Sequence, residues 1–575
     1  MVTLDVPAHL KFEQFRRKPH NDGMMKRFSV LVVFILAALP AVAQTDTNAP
    51  AATAVAVLPD TNAPAVMPET NMVAAPATAT VAATPSGKTR PMSLEDCIQE
   101  GLQHNFDLQI QRYGPQISLY NLRADYGSYY DPTFNLSGTH QFTMESSTNG
   151  FTSIAGTTTN FVLFPKVRSK QDTFNSDLGG NLPWGMEYDF VANLQQNYGP
   201  YYSGTTNLNS SWVKDTQGSA EVDLTQHLLK DFWIDTSRLA IRVDKNRLKY
   251  AEQALRKQFI DSITAIENAY YELIYAQENV KVQQEALQLA QTQLDQDRQR
   301  MQIGTLAQLD VQQDEAQVAT AQANLIGAQY TLVQDQNALK TLLTDVYARW
   351  YDTDIQPTAT ITNVPLQLFD VQDSWSRGMT MRPELLQARL DVEKQGIQLK
   401  FDRNQLFPAL DLKGSYGFAG GARDYDGTVD EIGRGDLPYY TYGAVFSLPL
   451  SSMKARNTYK SDKMTERQLL LTLKQLEQNI LVQIDNAVKN AQSTYESVAA
   501  TRQARIYAEA ALDAEQKKYA VGKSTTFTVL QLQNTLTADR GQEIRALANY
   551  YEALVNLAQQ EGSTLERQHI NIEAK

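Results

Sequence analysis

The residues able to do chemistry in this chain are few and scattered. Its six histidines are dispersed over 575 residues. There is no H-E-x-x-H pair to hold zinc and no Gly-rich loop to cradle a phosphate. Carboxylates pair only as ordinary charges along helical surfaces. A single cysteine, Cys97, excludes an intramolecular disulfide and any Cys-based zinc site. It follows Leu94-Glu95-Asp96, far from any apolar leader, and reads as a small residue on a helix face. His227 stands where a strand ends and could ligate a metal, but no second histidine lies near it, so it reads as a plain polar residue. No catalytic constellation and no cofactor follow from these residues.

The chain is polar and mildly acidic, with net charge −12 and mean hydropathy −0.39. Phosphate neutralisation needs clustered Lys and Arg, and here they are spread along helices, which argues against nucleic acid as a partner. Lys26 and Arg27 precede an apolar run, Phe28 to Leu39, and Ala41-Val42-Ala43 follows. A basic start, an apolar stretch and an A-x-A site make a secretory signal. A membrane anchor is the weaker reading, because the run falls short of the ~20 residues a spanning helix needs. Residues 1–43 are therefore read as the leader, with a start at Met24 or Met25. Residues 44–91 are rich in Ala, Thr, Pro and Val, repeat Asp-Thr-Asn-Ala-Pro at 46 and 60, and read as a disordered tether. Beyond Ala43 no apolar stretch reaches spanning length. A bilayer crossing by the mature chain must then be a β-barrel, the other structure that satisfies its own backbone in lipid.

The elements that must position the polar residues alternate between two periods. Long Pro-free segments cover 236–303, 305–346, 453–520 and 524–562. In the first, Ile266, Leu273, Val280, Leu287, Leu294 and Met301 recur every seven residues, which predicts coiled-coil packing. That helix would be about 100 Å long at ~1.5 Å per residue. Between the helices, segments 133–142, 220–225, 410–418 and 440–448 alternate apolar and polar with period two. Such strands line either a membrane barrel or a soluble sheet over a core.

The chain also repeats itself. Pro132-Thr-Phe-Asn-Leu-Ser-Gly138 echoes Pro408-Ala-Leu-Asp-Leu-Lys-Gly414, and Gly304-Thr-Leu-Ala-Gln-Leu-Asp-Val311 aligns with Gly522-Lys-Ser-Thr-Thr-Phe-Thr-Val529. Asn105-Phe-Asp-Leu108 stands where the second copy has Arg382-Pro-Glu-Leu385. Each copy reads as helix, β-hairpin, long helix, glycine turn, helix: 92–346 for copy one and 377–562 for copy two. A connector, 347–376, joins them and a tail, 563–575, follows. In each copy two shorter helices stacked end to end would match one long helix. The first hairpin is the longer, Pro132 to Leu224 against Pro408 to Val445, and contains an alternating stretch from Trp184 to Phe190. It is read as a hairpin extended above the membrane, with additional barrel strands left open.

The block Phe407 to Gly417, the Arg382-Pro-Glu-Leu385 helix start and the Tyr519-Ala-Val-Gly522 turn resemble the TolC-like outer membrane efflux family. The resemblance runs from Ser93 to about Gly562. It implies a mixed α and β membrane protein: a homotrimer with about four strands per subunit in one outer-membrane barrel, continued by a periplasmic α-helical barrel. It further implies an exit duct in contact with outer-membrane lipid, a periplasmic adaptor protein and an inner-membrane pump. The rival from another class is a secreted coiled-coil scaffold that conducts nothing. The adaptor would dock at the turns, on Gly304, Thr305, Leu306, Gly522, Lys523 and Ser524. Glycine permits positive φ there, although it also simply ends helices. The resemblance puts the periplasmic gate at Asp310, Tyr519, Thr528 and Gln531. Related channels carry carboxylates at the positions of Thr528 and Gln531, so this chain lacks that acidic ring. Asp310 keeps the family residue and with Tyr519 would form a polar lock; a solvated helix face or a contact with the helix dipole explains it equally.

Overall fold

A computed structural model describes residues 88–145, 149–154, 158–163, 167–203, 209–361 and 369–570, all within one compact unit, Ala83–Lys575. The leader, the tether up to residue 87 and the last five residues of the tail fall outside the described residues. Copy one opens with β1 (Lys88–Met92), α1 (Leu94–His104) and α2 (Phe106–Tyr130). Strands β2 (Thr133–Glu145), β3 (Asn149–Ile154), β4 (Thr158–Leu163), β5 (Val167–Asn181), β6 (Met186–Ser203) and β7 (Asn209–His227) follow. The long helix α3 (Thr236–Gln302) then turns into α4 (Gln308–Leu343). The connector holds α5 (Tyr347–Trp350) and β8 (Thr353–Pro357). Copy two runs α6 (Val371–Met381), α7 (Pro383–Asn404), β9 (Ala409–Ala422), α8 (Tyr425–Arg434), β10 (Leu437–Ser447), α9 (Met453–Ala520) and α10 (Thr526–Glu561). Helix α11 (Thr564–Arg567) lies in the tail.

The four long helices end within a turn of their expected bounds. Two domain boundaries move. Lys88–Met92 is strand rather than tether, because β8 offers it a parallel edge from Lys88↔Thr353 to Met92↔Pro357. Copy two begins at Val371 rather than 377, because α6 is the counterpart of α1. Both short helices are capped by a side chain, Ser93 in one and Asp370 in the other. Each presents a glycine to its long helix. A Cβ on Gly101 would lie 2.4 Å from Ile266 Cδ1 and 3.4 Å from the Leu342 carbonyl; on Gly378 it would lie 2.4 Å from Ile484 Cδ1 and 3.6 Å from the Gln560 carbonyl. The same close approach has been built twice.

Those carbonyls mark the joints of the stacked helices. Asn105 caps α2 by accepting from the Leu108 N–H, while its amide donates to the carbonyl of Leu342, near the end of α4, at 3.1 Å. In copy two Pro383 occupies the first turn of α7, where its missing N–H costs nothing, and Gly562 at the end of α10 lies against Met381 and Arg382. So α2 and α4 run alongside α3, and α7 and α10 alongside α9. The heptad stripe turns inward as expected: Ile266, Leu273, Val280 and Leu294 are buried. The main core sits at the waist around α3, where Tyr270, Ile263, Ile266 and Leu273 meet Leu108, Leu339, Leu343 and Ile355.

The sheet is larger than expected. Its order is β10-β9-β7-β6-β5-β2, six antiparallel strands where about four were expected per subunit. The two additional strands come from the long first hairpin; Trp184 lies in the turn between β5 and β6, and the alternation expected from 184 to 190 begins in strand only at Met186. Strands β3 and β4 form a separate two-stranded ribbon.

Filling either waist glycine should loosen the stack. Gly101→Leu and Gly378→Leu are each expected to destabilise the protein by about 1–3 kcal/mol, as overpacked sites do. Thermal loss of helical circular dichroism measures this, and unchanged melting at both positions would contradict the close approach.

Candidate functional site

The site is built where the four long helices turn. Helix α3 ends at Gln302 and α9 at Ala520, and a left-handed glycine follows each, Gly304 with φ 81° and Gly522 with φ 74°. Both turns close identically. The Gly304 N–H donates to the Met301 carbonyl and Thr305 N–H to that of Arg300; the Gly522 N–H donates to Tyr519 and Lys523 N–H to Lys518. This paired bonding is the Schellman termination, and it requires the backbone conformation that glycine adopts without steric cost. Gly304, Thr305, Gly522 and Lys523 are exposed, while Leu306 and Ser524 are half-buried. The Ser524 hydroxyl donates to Glu515 at 2.6 Å, so it serves its own turn.

Just behind the turns the two copies are tied by a buried polar cluster. Asp297 on α3 is fully buried, accepting from the Tyr519 hydroxyl at 2.8 Å and from the Gln293 amide at 2.7 Å. The Tyr519 hydroxyl also lies 2.9 Å from the Thr526 hydroxyl at the start of α10. Arg300 covers the ring of Tyr519 at 4.4 Å and reaches Asp297 at 3.7 Å. Burial holds the Tyr519 phenol above its usual range, so it stays a donor. Around the cluster, Leu512, Tyr519, Val529 and Leu536 pack with Leu289 of α3. Helices α4 and α10 meet through a reciprocal amide pair, Gln317 and Asn534.

A second carboxylate belongs to this cluster. Asp314 on α4 is 1% exposed, and neither of its oxygens accepts a hydrogen bond. Burial first, then the neighbouring Asp297 and the charge of Asp310, push its carboxyl up to about 7 from an ordinary 3.8. Burial beside a second carboxylate favours the protonated form of Asp314.

The expected gate residues are therefore only partly gathered. Tyr519 makes its polar lock with Asp297 rather than with Asp310. Asp310 sits half-buried in the first turn of α4 and enters only through its charge. Thr528 is half-buried and bonds to Thr525 at 3.0 Å, and Gln531 is exposed. Asp297, Asp314, Gln293, Arg300 and Thr526 were not singled out from sequence. Asp297 and Tyr519 lie 222 residues apart, and no short motif joins them. The only local signal is Gln293 and Asp297 on one helical face, too common to pick out.

Two other residues are settled. His227 Nδ1 lies 2.6 Å from Asp411 and its Nε2 3.6 Å from Glu187, so it links three strand ends. Cys97 is buried, and burial pushes its thiol to about 12, leaving it inert. Among the described residues no three acidic, Cys or His groups are placed to hold a metal.

A family model described as outer membrane efflux protein matches residues 198–344 and 379–563. Outer membrane protein TolC of Escherichia coli is 24% identical over 296 residues, which take in 50% of this chain and 59% of the relative. The match thus spans about three-fifths of that relative's length. The solved structure of VceC, an outer membrane protein of Vibrio cholerae, is similar with TM-score 0.57 at 18% identity, covering 82% of this chain and 96% of that one. The CmeC outer membrane channel of Campylobacter jejuni has TM-score 0.57 at 16% identity, covering 82% and 86%. The family match takes in copy one from β6 to the end of α4 and nearly all of copy two.

The carboxylate pair makes the tip pH-dependent, with a definite sign. The folded protein holds a proton on Asp314 that the unfolded chain releases near its ordinary 3.8. The stabilisation is complete below that value and is lost as pH rises through about 7. Hydrogen exchange in the first turns of α4, corrected for intrinsic rates, should be slower at pH 5 than at pH 8. Asp314→Asn should flatten the difference; a variant that keeps it would place its origin elsewhere.

Proposed function

The chain belongs to the outer membrane efflux protein family, and from that premise we propose that it is the exit duct of a tripartite efflux or secretion system. The family is one of the outer membrane, with its helices in the periplasm below the barrel. In this reading three copies close one ring, and substrates leave passively while an inner-membrane pump supplies the energy. The observation that carries it is a pair of open edges. Among the described residues the sheet ends at β10 on one side and β2 on the other, and the outer edge of each is unpaired. Beneath β2, helix α2 leaves Phe106, Ile110, Tyr113, Ile117 and Tyr120 exposed at helical spacing. Beneath β10, helix α9 exposes Leu471 and Val482. Edges of hydrogen-bonding strand and stripes of apolar side chain fit a head-to-tail neighbour of the same kind, and a ring of such contacts removes every edge.

The tip is the surface offered to the periplasm. We read the exposed turns at Gly304 and Gly522 as the adaptor's docking site, and the cluster of Asp297, Asp314 and Tyr519 as the contact that holds the tip closed. Thr528 and Gln531 carry no charge, so the entrance is weakly cation-selective compared with relatives that ring it with carboxylates.

Two outcomes test the reading. Purified trimers in planar bilayers should conduct, and Thr528→Asp should increase block by divalent and trivalent cations; absent conductance would favour a non-conducting scaffold. Thr305→Trp and Lys523→Trp leave both glycine turns intact, so trimers should form normally in the membrane while export and cross-linking to the adaptor are lost. Survival of export in both variants would move the docking site away from the turns.

A further inference from the structure

The inference concerns the β5–β6 hairpin and rests on the channel reading above. We propose that this hairpin is part of the barrel wall itself, so that each protomer contributes six strands and the trimer closes an 18-stranded barrel.

Three observations carry it. First, β5 and β6 lie inside the sheet, between β2 and β7, and not at its edge or beyond it. Removing them would leave β2 with no partner within the chain. Second, the hairpin spans the full height of its neighbours. Its lower turn reaches the helix junction, where the Tyr129 hydroxyl, near the end of α2, donates to the Leu182 carbonyl at 3.2 Å. The Asn181 amide returns a bond to the Tyr129 carbonyl at 3.3 Å, and Gly185 lies against the guanidinium of Arg238 at the start of α3. That is the level at which β2 begins and β7 ends. An extracellular flap would not touch the helices.

Third, the apolar row at the level of Phe134 continues through both strands. One row of cross-strand partners runs Phe134, Leu178, Phe190, Val222, Tyr416, Tyr440. The next row, on the opposite face, runs Asn135, Asp177, Val191, Glu221, Gly417, Tyr439. Phe134 is 64% exposed and Phe190 48%, so this row is open in the single chain. A hairpin standing in water has no reason to carry Leu178 and Phe190 in the same row as the lipid-facing residues of β2 and β9.

The size of the wall fits the helices beneath it. Strands about 4.8 Å apart and tilted by about 40° take up about 6 Å of circumference each, so six give about 38 Å and four about 25 Å. Four helices lie side by side at each level of a protomer, and at 8–10 Å between axes they take up about 32–40 Å. Six strands match that arc, and the duct joins barrel to helices without a taper. Barrels of this strand number leave an aqueous channel rather than a side-chain-filled interior.

Lipid exposure tests the proposal. Single cysteines at Leu178 and Phe190, with Phe134→Cys as the reference, are labelled with a bimane fluorophore in a Cys97→Ala background. The trimers are reconstituted into phosphatidylcholine–phosphatidylglycerol vesicles carrying a spin label on the acyl chain. Leu178→Cys and Phe190→Cys should be quenched as strongly as Phe134→Cys, and Asn193→Cys should instead react with a membrane-impermeant maleimide. Quenching at Phe134 alone would put the hairpin outside the bilayer and overturn the proposal while leaving the channel reading intact. Quenching at none of the three would overturn the membrane reading itself, and the proposal with it. If a variant fails to form trimers, electron cryo-microscopy of the unmodified trimer decides: a wall diameter of about 36 Å supports 18 strands, and about 24 Å overturns them.

Discussion

A strand edge cannot be left open in hydrocarbon, because each unpaired N–H and C=O there forgoes water and costs several kcal/mol. In this chain that constraint reaches far beyond the strands. The sheet ends in β2 and β10, and those strands are continuous with the outermost helices, α2 and α9. Pairing the edges between copies therefore fixes which helix faces meet as well. The exposed apolar stripe on α2 makes sense only in that setting, since in an isolated chain it would be an aggregation hazard.

Below the strands the problem changes from hydrogen bonding to length. Two short helices must act as one long one, and each joint leaves carbonyls at one end and amides at the other without intrahelical partners. The chain solves this twice with different residues. In copy one Asn105 bridges the gap with its side-chain amide; in copy two Pro383 has no N–H that would need an acceptor, and Gly562 turns the chain tightly against it. Behind each joint a short helix presses a glycine onto an isoleucine of the long helix. The waist is thus the most heavily packed level, and polar ties such as Arg545 to Glu272 at 2.6 Å join α10 to α3 across it.

The tip is held by a different kind of contact. Its apolar cluster is small, and the tie between copies runs through Asp297, Tyr519 and Thr526. A buried carboxylate such as Asp314 is tolerated in this contact while protonated and disfavoured once it ionises. In the proposed duct such a contact would suit a tip that opens, where a larger apolar core would hold too firmly. The exposed glycine turns sit directly beyond it, at the ends of the helices that carry this contact.

The elements themselves were legible because their signals are local and repeated. The heptad from Ile266 to Leu294, the Pro-free runs and the two glycine turns each follow from backbone periodicity, and the duplication revealed the pairing of short helices with long ones. The family resemblance carried the barrel, the helical ring and the expected positions of the gate. The pairings that give the molecule its particular character were not legible. Whether the stretch around Tyr188 stands above the sheet or within it depends on which strands accept its hydrogen bonds, and alternation is the same in either case. That Tyr519 meets Asp297 on α3 rather than Asp310 on α4 depends on which of the two helices packs against the end of α9. Asp314 reads as an ordinary surface acid until the fold buries it beside Asp297 of α3. Period and punctuation determine helices and strands from within one segment, whereas burial and register are properties of segments brought together, and only the tertiary structure brings them.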